Sequence, residues 1–350
     1  MKSYKYGIIG SFVFGKETYG GQSIKTKNFA NGLGEFFGED KIMRVDTYAW
    51  KKHPFRLVFN ISKALSKCEE IVLLPAYRGV LVIPKLVRFL RGFRKNKLKY
   101  VVVGGWLPEF LLKHKSLAKR LKKFDGIYVE TQTMKNALEQ QGFGNVIVLP
   151  NFKNIKVLKE DELVYAKQEP YKLCTFSRVL KEKGIEDAVN AVKSVNQALG
   201  RTAYTLDIYG RVDPNYEEEF AIFSKEFPEY ISYKGAADNS KSTEILKEYF
   251  ALLFPTHYFT EGVPGTILDA YAAGVPCIAS KWESFGDMID EGQSGMGYAF
   301  GETKGLEEIL LEVIQTPQIL NDMKKYCLSK AEKFLPKTII CQFIQKGETR

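Results

Sequence analysis

Histidine, cysteine pairs and long apolar runs are what this 350-residue chain lacks. It has three histidines, His53, His114 and His257, and five cysteines, Cys68, Cys174, Cys277, Cys327 and Cys341. No C-x-x-C pair and no metal-ligand spacing occurs among them, which excludes a zinc module and a disulfide framework. The thiols read as reduced and mostly buried in a cytosolic protein. No run approaches the ~20 apolar residues that a spanning helix requires. The N-terminus has too short an apolar core and no small-residue cleavage site, so it reads as a first strand and not a signal peptide. Low-complexity segments and internal repeats are absent. So is G-x-G-x-x-G, which excludes a dinucleotide fingerprint. With no nucleic-acid motif and no aromatics interleaved for base stacking, nucleic acid is not expected as a partner.

What is present suits two soluble domains. Hydrophobic residues make up 45% and charged residues 26%, ordinary for a globular protein, and the length exceeds one ordinary core. The net charge of +10 is uneven. Residues 1–165 carry 30 Lys+Arg against 14 Asp+Glu, and the remainder carries 21 against 27. The first half therefore favours an anionic partner. Pro84 to Lys95 reads as a basic amphipathic helix, with Leu86, Val87, Phe89, Leu90 and Phe93 sharing a face and Lys85, Arg88, Arg91, Arg94 and Lys95 around it. Lys113 to Lys123 adds six basic residues spaced with Leu112, Leu117 and Leu121. An anionic membrane surface is a candidate partner for such helices. The competing reading is two surface helices whose apolar faces pack on a sheet.

Strand and helix patterns alternate twice along the chain. Tyr6 to Phe14 is a strand, Gly15 to Gly21 breaks it, and Gln22 to Phe37 has helical spacing. Tyr100 to Val103 is a buried strand ending in Gly104-Gly105-Trp106-Leu107-Pro108. Asn154 to Glu169 is charged and poorly periodic and reads as a linker, so the boundary falls near 152 to 170. Leu173 to Phe176 opens the second half, followed by Arg178, Lys183 and Gly184 ahead of a helix from Ile185 to Leu199. Arg and Lys at a strand end suit a pyrophosphate, the Arg as a fork and the Lys as a point charge. Phe254 to Ser280 then runs strand, glycine loop, short helix, strand. Its loop brings backbone N–H groups and a helix start close to an anion. Glu261 in the loop and Asp269 in the helix add two carboxylates. Phosphate-friendly backbone beside two acids suits a ligand with phosphates and hydroxyls, such as a nucleotide sugar. The competing reading is a solvated loop acid, a helix acid and glycines that only make turns.

The Phe254–Ser280 stretch resembles the E-x7-E signature of retaining glycosyltransferases of family 4. Glu261, Gly262, Pro264, Leu268, Ala270, Ala272, Gly274, Pro276, Ile278 and Ala279 match in register. Asp269 departs, standing where the family has Glu. Ser177 to Gly184 resembles the family's G-R-L-x-x-E-K-G, with Ser177 for the first Gly. Ser284 to Gly295 resembles a further family turn, with Asp287 where Glu is usual, and Pro150-Asn151-Phe152 resembles the turn that ends the first domain. The resemblance implies a GT-B fold: α/β, with two Rossmann-like parallel-sheet domains facing a cleft. Residues 1–158 form the acceptor-binding domain, residues 159–334 the nucleotide-sugar domain, and residues 335–350 a helix returning to the first domain.

It also implies roles. Arg178 and Lys183 hold the donor diphosphate and Glu261 the donor sugar, these three being the catalytic candidates. Gly262, Val263, Pro264, Gly265 and Thr266 line the donor. Asp269 holds the ribose, Gly210 in its glycine turn is a further donor-binding residue, and Gly21 and Gln22 face the phosphates from the first domain. Trp106 and Glu109 are the candidates on the acceptor side, where the family's histidine is missing. They read equally well as a core aromatic and a helix N-terminal acid. No metal and no cofactor is expected, since no D-x-D stands at a strand end and Arg178 and Lys183 can neutralise a leaving diphosphate.

The expected activity is retaining transfer from a nucleoside diphosphate sugar, with UDP the expected carrier. The acceptor is a saccharide, lipid-pyrophosphate-linked or free, in cell-surface polysaccharide synthesis such as a capsule. The expected place is the cytoplasm, with a peripheral position on the inner membrane face as a candidate. Two alternatives remain open on the residues: a GT-B nucleotide-sugar epimerase, and a non-catalytic nucleotide-sugar-binding module.

Overall fold

Ile8 and Ile9 are neighbours in the first strand, and both are fully buried. They point to opposite faces of a sheet, so each face must be covered. Ile8 joins an apolar cluster with Phe29, Leu33 and Phe343, and Ile9 joins another with Ile61, Ile83 and Leu117. The same alternation recurs at Leu252 and Leu253 in the second half. Continuous apolar runs of this kind belong to parallel sheets with helices on both sides.

The structure, a computed structural model, describes residues 3–15, 21–75, 77 and 79–348. They form two compact units. Unit 1 holds the described residues up to Asn154 and those from Leu335 onward, and unit 2 runs Ile155–Phe334. Unit 1 is built on parallel strands β1 (Tyr4–Gly10), β2 (Ile42–Asp46), β3 (Cys68–Leu74), β4 (Lys97–Val101), β5 (Gly126–Val129) and β6 (Val146–Val148). Their spatial order is β2-β1-β3-β4-β5-β6. Unit 2 repeats the plan with β7 (Tyr171–Phe176), β8 (Tyr204–Tyr209), β9 (Ile231–Gly235), β10 (Ala251–Phe254), β11 (Cys277–Ser280) and β12 (Gly295–Tyr298). The order there is β12-β11-β10-β7-β8-β9.

In each sheet the chain reverses its direction of travel once. Unit 1 reverses between β1 and β3, and unit 2 between β7 and β10. In open parallel sheets this switch point leaves a crevice at the carboxyl ends of the two strands, where ligands bind.

Three sequence expectations change. The segment read as a linker is anchored to unit 2. Leu158 is buried and its N–H donates to the Ala272 carbonyl (2.9 Å), while the Asn321 side chain exchanges two hydrogen bonds with Ala166. These anchors are too widely spaced to give a periodic pattern.

The first basic helix spans Ile83–Arg91 and stops short of Lys95 because Gly92, at φ 53°, turns the chain out of the helix. Arg94 then donates to the Leu90 carbonyl at the helix end (2.8 Å). Val87 is buried, but Phe89 and Phe93 stand in solvent, so the apolar face is wider than the face the sheet covers. The second basic run is split at His114 into the helices Leu107–Lys113 and Lys115–Leu121.

The helix Pro336–Glu348 lies on unit 1. Its Phe343 ring packs edge-on against Phe29 (4.9 Å between centroids), and Ile339 and Ile340 are buried beside Leu33.

Candidate functional site at the switch point of unit 2

The strand ends of β7, β8 and β10 place the residues of interest side by side. After β7 the chain runs from Ser177 to Gly184 before entering the helix Ile185–Leu199. This loop is stitched to the one after β8. The Val179 N–H donates to the Arg211 carbonyl (3.0 Å) and the Asp213 N–H returns to the Val179 carbonyl (2.9 Å). Gly210, at φ 143°, lies so close to the Ser177 carbonyl that a Cβ there would overlap it. The loop is also stitched to the one after β10. The His257 N–H donates to the Glu182 carbonyl (2.8 Å), and a Cβ on left-handed Gly184 would run into the carbonyl of Pro255. Only glycine allows these approaches, and they bring the ends of the three strands together.

Lys183 sits at the centre. Its ammonium pairs with the Glu261 carboxylate and lies over the rings of Phe254 (5.4 Å) and Tyr258 (5.0 Å). Both partners are only partly covered, 15% and 18% exposed, so solvent reaches the pair. Arg178 is more open, with Asp213 3.6 Å from its guanidinium. Burial raises the Tyr258 phenol above its ordinary range, which keeps that ring neutral beside the lysine.

The loop after β10 leads to the helix Gly265–Ala272 through Gly262, Val263 and Pro264, all buried. Gly265 and Thr266 are half-buried at the helix start, where N–H groups lack intrahelical partners. The Thr266 Oγ1 is itself buried without a hydrogen-bond partner. Asp269 is buried one turn further on, and Ser242 donates to its Oδ1 (2.7 Å). The two acids of the motif therefore differ: Glu261 faces a lysine near solvent, and Asp269 is held inside by a hydroxyl.

Sequence reasoning missed several neighbours. Phe254 and Tyr258 flank Lys183, Ser242 holds Asp269, and His257 Nε2 lies 2.6 Å from Asp187 Oδ2. The His257–Asp187 pair joins the β10 loop to the helix that Gly184 starts. Its partners are 70 residues apart, a spacing that carries no local signal. Among the described residues, no group of three or more His, Cys, Asp or Glu side chains is placed to hold a metal ion.

The remaining candidates belong to unit 1. Gly21 and Gln22 open the helix Gly21–Phe37, and Gln22 Nε2 donates to the Leu74 carbonyl at the end of β3 (3.0 Å). Gly20, next to them in sequence, lies outside the described residues. Trp106 donates its indole N–H to the Val103 carbonyl (2.8 Å) and packs edge-on with Tyr77 and Phe110. Glu109 is exposed and paired with Lys113 (3.0 Å). Unit 1 has a lysine–glutamate pair of its own: Lys25 donates to Glu130 (2.6 Å) and to the Val102 carbonyl (3.0 Å).

This geometry coincides with a family match. Residues 159–329 fit the model described as glycosyl transferases group 1. The second unit is therefore similar to the group 1 glycosyl transferases.

Two curated relatives of this chain are more distant than the motif suggests. The UDP-N-acetylglucosamine–peptide N-acetylglucosaminyltransferase GtfA subunit of Streptococcus pneumoniae serotype 4 is 28% identical over 230 residues, 62% of this chain and 44% of that protein. The amylovoran biosynthesis glycosyltransferase AmsK of Erwinia amylovora is 24% identical over 154 residues, 43% of this chain and 37% of that protein. The chain thus spans less than half the length of either relative. Among solved structures, Anabaena HepE in complex with UDP and glucose superposes with a TM-score of 0.75 at 14% identity, covering 99% of this chain and 100% of that one. At that identity the likeness establishes the fold, which is GT-B, as the sequence led us to expect.

Proposed function

We propose that the chain transfers a sugar from a nucleoside diphosphate sugar to a hydroxyl of a saccharide acceptor, with retention at the anomeric carbon. The observation that carries this reading is the solvent-reached Lys183–Glu261 pair beside Arg178 at the switch point of unit 2. Such a pair exchanges partners at low cost. The donor's diphosphate takes Lys183 and Arg178, and its sugar hydroxyls take Glu261. The N–H groups at Gly265 and Thr266 meet the phosphates, with the helix dipole favouring negative charge. Asp269 takes the ribose. In the transfer the bond from the anomeric carbon to the phosphate oxygen breaks and the acceptor oxygen bonds to that carbon on the same face. The acceptor proton passes to the departing phosphate. Charge builds up on the diphosphate, and Arg178 and Lys183 are the groups that stabilise it, with no metal in this scheme.

UDP is the carrier we infer. HepE holds UDP and glucose, and GtfA is named for UDP-N-acetylglucosamine. AmsK, named for amylovoran biosynthesis, supports a cell-surface polysaccharide as the product. The excess of 30 basic over 14 acidic residues in 1–165 favours an acceptor with an anionic part, such as a lipid pyrophosphate, which would place the enzyme at the inner face of a membrane.

Thermal unfolding with UDP, GDP, ADP, CMP and dTDP and their sugars tests the donor site, because a ligand of the folded state raises the midpoint by mass action. We expect a shift with UDP that is lost in Arg178→Ala and Lys183→Ala. No shift with any of them would remove the donor reading. One observation favours a non-catalytic binding module instead: Asp269 is shorter than the family's Glu and is engaged by Ser242. Such a module would show the UDP shift but no hydrolysis of UDP-sugar on long incubation, whereas an epimerase would return a new nucleotide sugar without any acceptor.

A further inference from the structure

Four phenylalanines stand outward on two neighbouring helices of unit 1. Phe55 and Phe59, on the helix Pro54–Lys67, are 88% and 67% exposed. Phe89, on Ile83–Arg91, and Phe93, just beyond its end, are 81% and 105% exposed. The two helices pack side by side. Both bury their opposite faces in one core cluster, through Leu57, Ile61 and Leu65 on the first and Ile83 and Val87 on the second. Their outer faces therefore look away from the same side of the sheet. On the first helix Phe55 and Phe59 line up with Lys63 at four-residue spacing, on the second Phe89 lines up with Lys85, and Phe93 follows beyond the Gly92 turn, also exposed. The helix Lys115–Leu121 lies next to Ile83–Arg91 and buries Leu117 and Leu121 in that cluster too.

The charge around these rings has one sign. Residues 51–67, 81–95 and 113–123 carry five, five and six Lys or Arg and no Asp or Glu. Isolated apolar residues on a surface need no explanation, but four exposed phenylalanines on and beside two neighbouring helices, set in an excess of positive charge, do. A protein core partner would be repelled by this excess of cations, of which Lys113 pairs with Glu109. A base-stacking site needs a groove that tracks a phosphate backbone, whereas these rings stand on the convex outer faces of helices. An anionic bilayer satisfies both features, since the rings enter the boundary of headgroup and acyl chain while the cations stay at the phosphates.

We propose that unit 1 docks on an anionic lipid bilayer through the outer faces of Pro54–Lys67 and Ile83–Arg91, with Phe55, Phe59, Phe89 and Phe93 inserted and the surrounding Lys and Arg on the lipid headgroups. This deepens the lipid-linked acceptor part of the function proposed above by naming the surface. It rests on residues outside the donor site, so the two readings fail separately.

The test is flotation of the purified full chain with vesicles of phosphatidylcholine alone and with vesicles that also contain phosphatidylglycerol. We expect binding to the anionic vesicles only. Phe89→Ser with Phe93→Ser should lower that binding roughly a hundredfold, the loss of two inserted rings. Lys85→Glu with Lys95→Glu should lower it roughly tenfold or more. Both double variants change exposed side chains and should keep the wild-type unfolding midpoint and its shift with UDP, so a loss of flotation reads the surface alone. In Phe93→Trp the indole emission should move to the blue when anionic vesicles are added. Failure to float with anionic vesicles, flotation undiminished in both double variants, or an unmoved emission would each overturn the proposal. So would capture of single-stranded DNA in place of vesicles, or a dimer in sedimentation that Phe89→Ser with Phe93→Ser dissolves.

Discussion

Each unit has a lysine–glutamate pair at the carboxyl ends of its strands, and the two pairs live in different surroundings. Lys25 and Glu130 in unit 1 are 1% and 2% exposed, whereas Lys183 and Glu261 in unit 2 are 15% and 18% exposed. Lys25 also donates to the Val102 carbonyl, so its ammonium ties the helix Gly21–Phe37 to the ends of β4 and β5. Burial lowers its pKa, and the charge and hydrogen bond of Glu130 oppose that. A pair so enclosed can be broken only by leaving a charge stranded, so it acts as a clamp. The pair in unit 2 is shared between the loops after β7 and β10, with water at hand to take over either charge. It can be opened by a ligand. The same two residue types on the same kind of sheet thus hold a fold together in one place and offer a binding site in the other, and solvent access makes the difference.

The largest effect should come from breaking the clamp. Lys25→Met should cost about 3–5 kcal/mol of stability by stranding Glu130. An unchanged urea midpoint would dismantle the comparison. Breaking the open pair should show the reverse pattern. Arg178→Ala and Lys183→Ala should each lose about 2–4 kcal/mol of transition-state stabilisation with little change in urea midpoint. A near wild-type kcat in both would remove them from the reaction.

A glycine contrast sharpens the same point. Gly184 and Gly200 are both left-handed, but only Gly184 is pressed against another backbone. Gly200→Ala should cost about 1 kcal/mol, the strain of the left-handed conformation alone. Gly184→Ala should cost about twice that or more, from added displacement of Pro255. Equal midpoints for the two variants would mean that the loops after β7 and β10 are not held as described.

Lys324 in unit 2 adds a pH test: it donates to the Tyr249 carbonyl (3.2 Å), and burial lowers its pKa to about 8. Between about pH 8 and the ordinary lysine value of about 10.4 the unfolded chain binds the extra proton, so stability should rise with pH through that window by roughly 3 kcal/mol. Below it the full cost of the buried charge is present. Lys324→Met should flatten the rise, and an identical slope in both proteins would assign it elsewhere.

The fold was legible because its cues are local. Continuous apolar runs such as Ile71 to Leu74 announce strands buried on both faces, and glycine breaks after β1, β7 and β10 mark where helices begin. Arg178, Lys183 and Glu261 could be singled out for the same reason, since each stands within a few residues of a glycine turn.

Partnerships across the sheet left no such trace. Lys25 lies mid-helix like any surface lysine, and Glu130 is 105 residues away. Ser242 and Asp269 are 27 residues apart. For Phe89 and Phe93 the sequence left two readings open, a membrane face or a face packed on the sheet. Helical spacing says which side chains share a face, but how much of that face the sheet covers depends on the neighbouring helices. The segment 155–169 misled because its anchors, Leu158, Leu163 and Ala166, follow no period and look like linker.

The helix Pro336–Glu348 fills part of unit 1's core from the far side of unit 2 in the sequence. Ile339, Ile340 and Phe343 are missing from that core until the intervening 155–334 segment has been made. A nascent chain emerges from its N-terminus, and domains usually fold in that order. Here the order inverts. Unit 2 has all its residues before unit 1 does, and the sheet of unit 1 waits, with Phe29 and Leu33 uncovered, for Pro336–Glu348 to be synthesised.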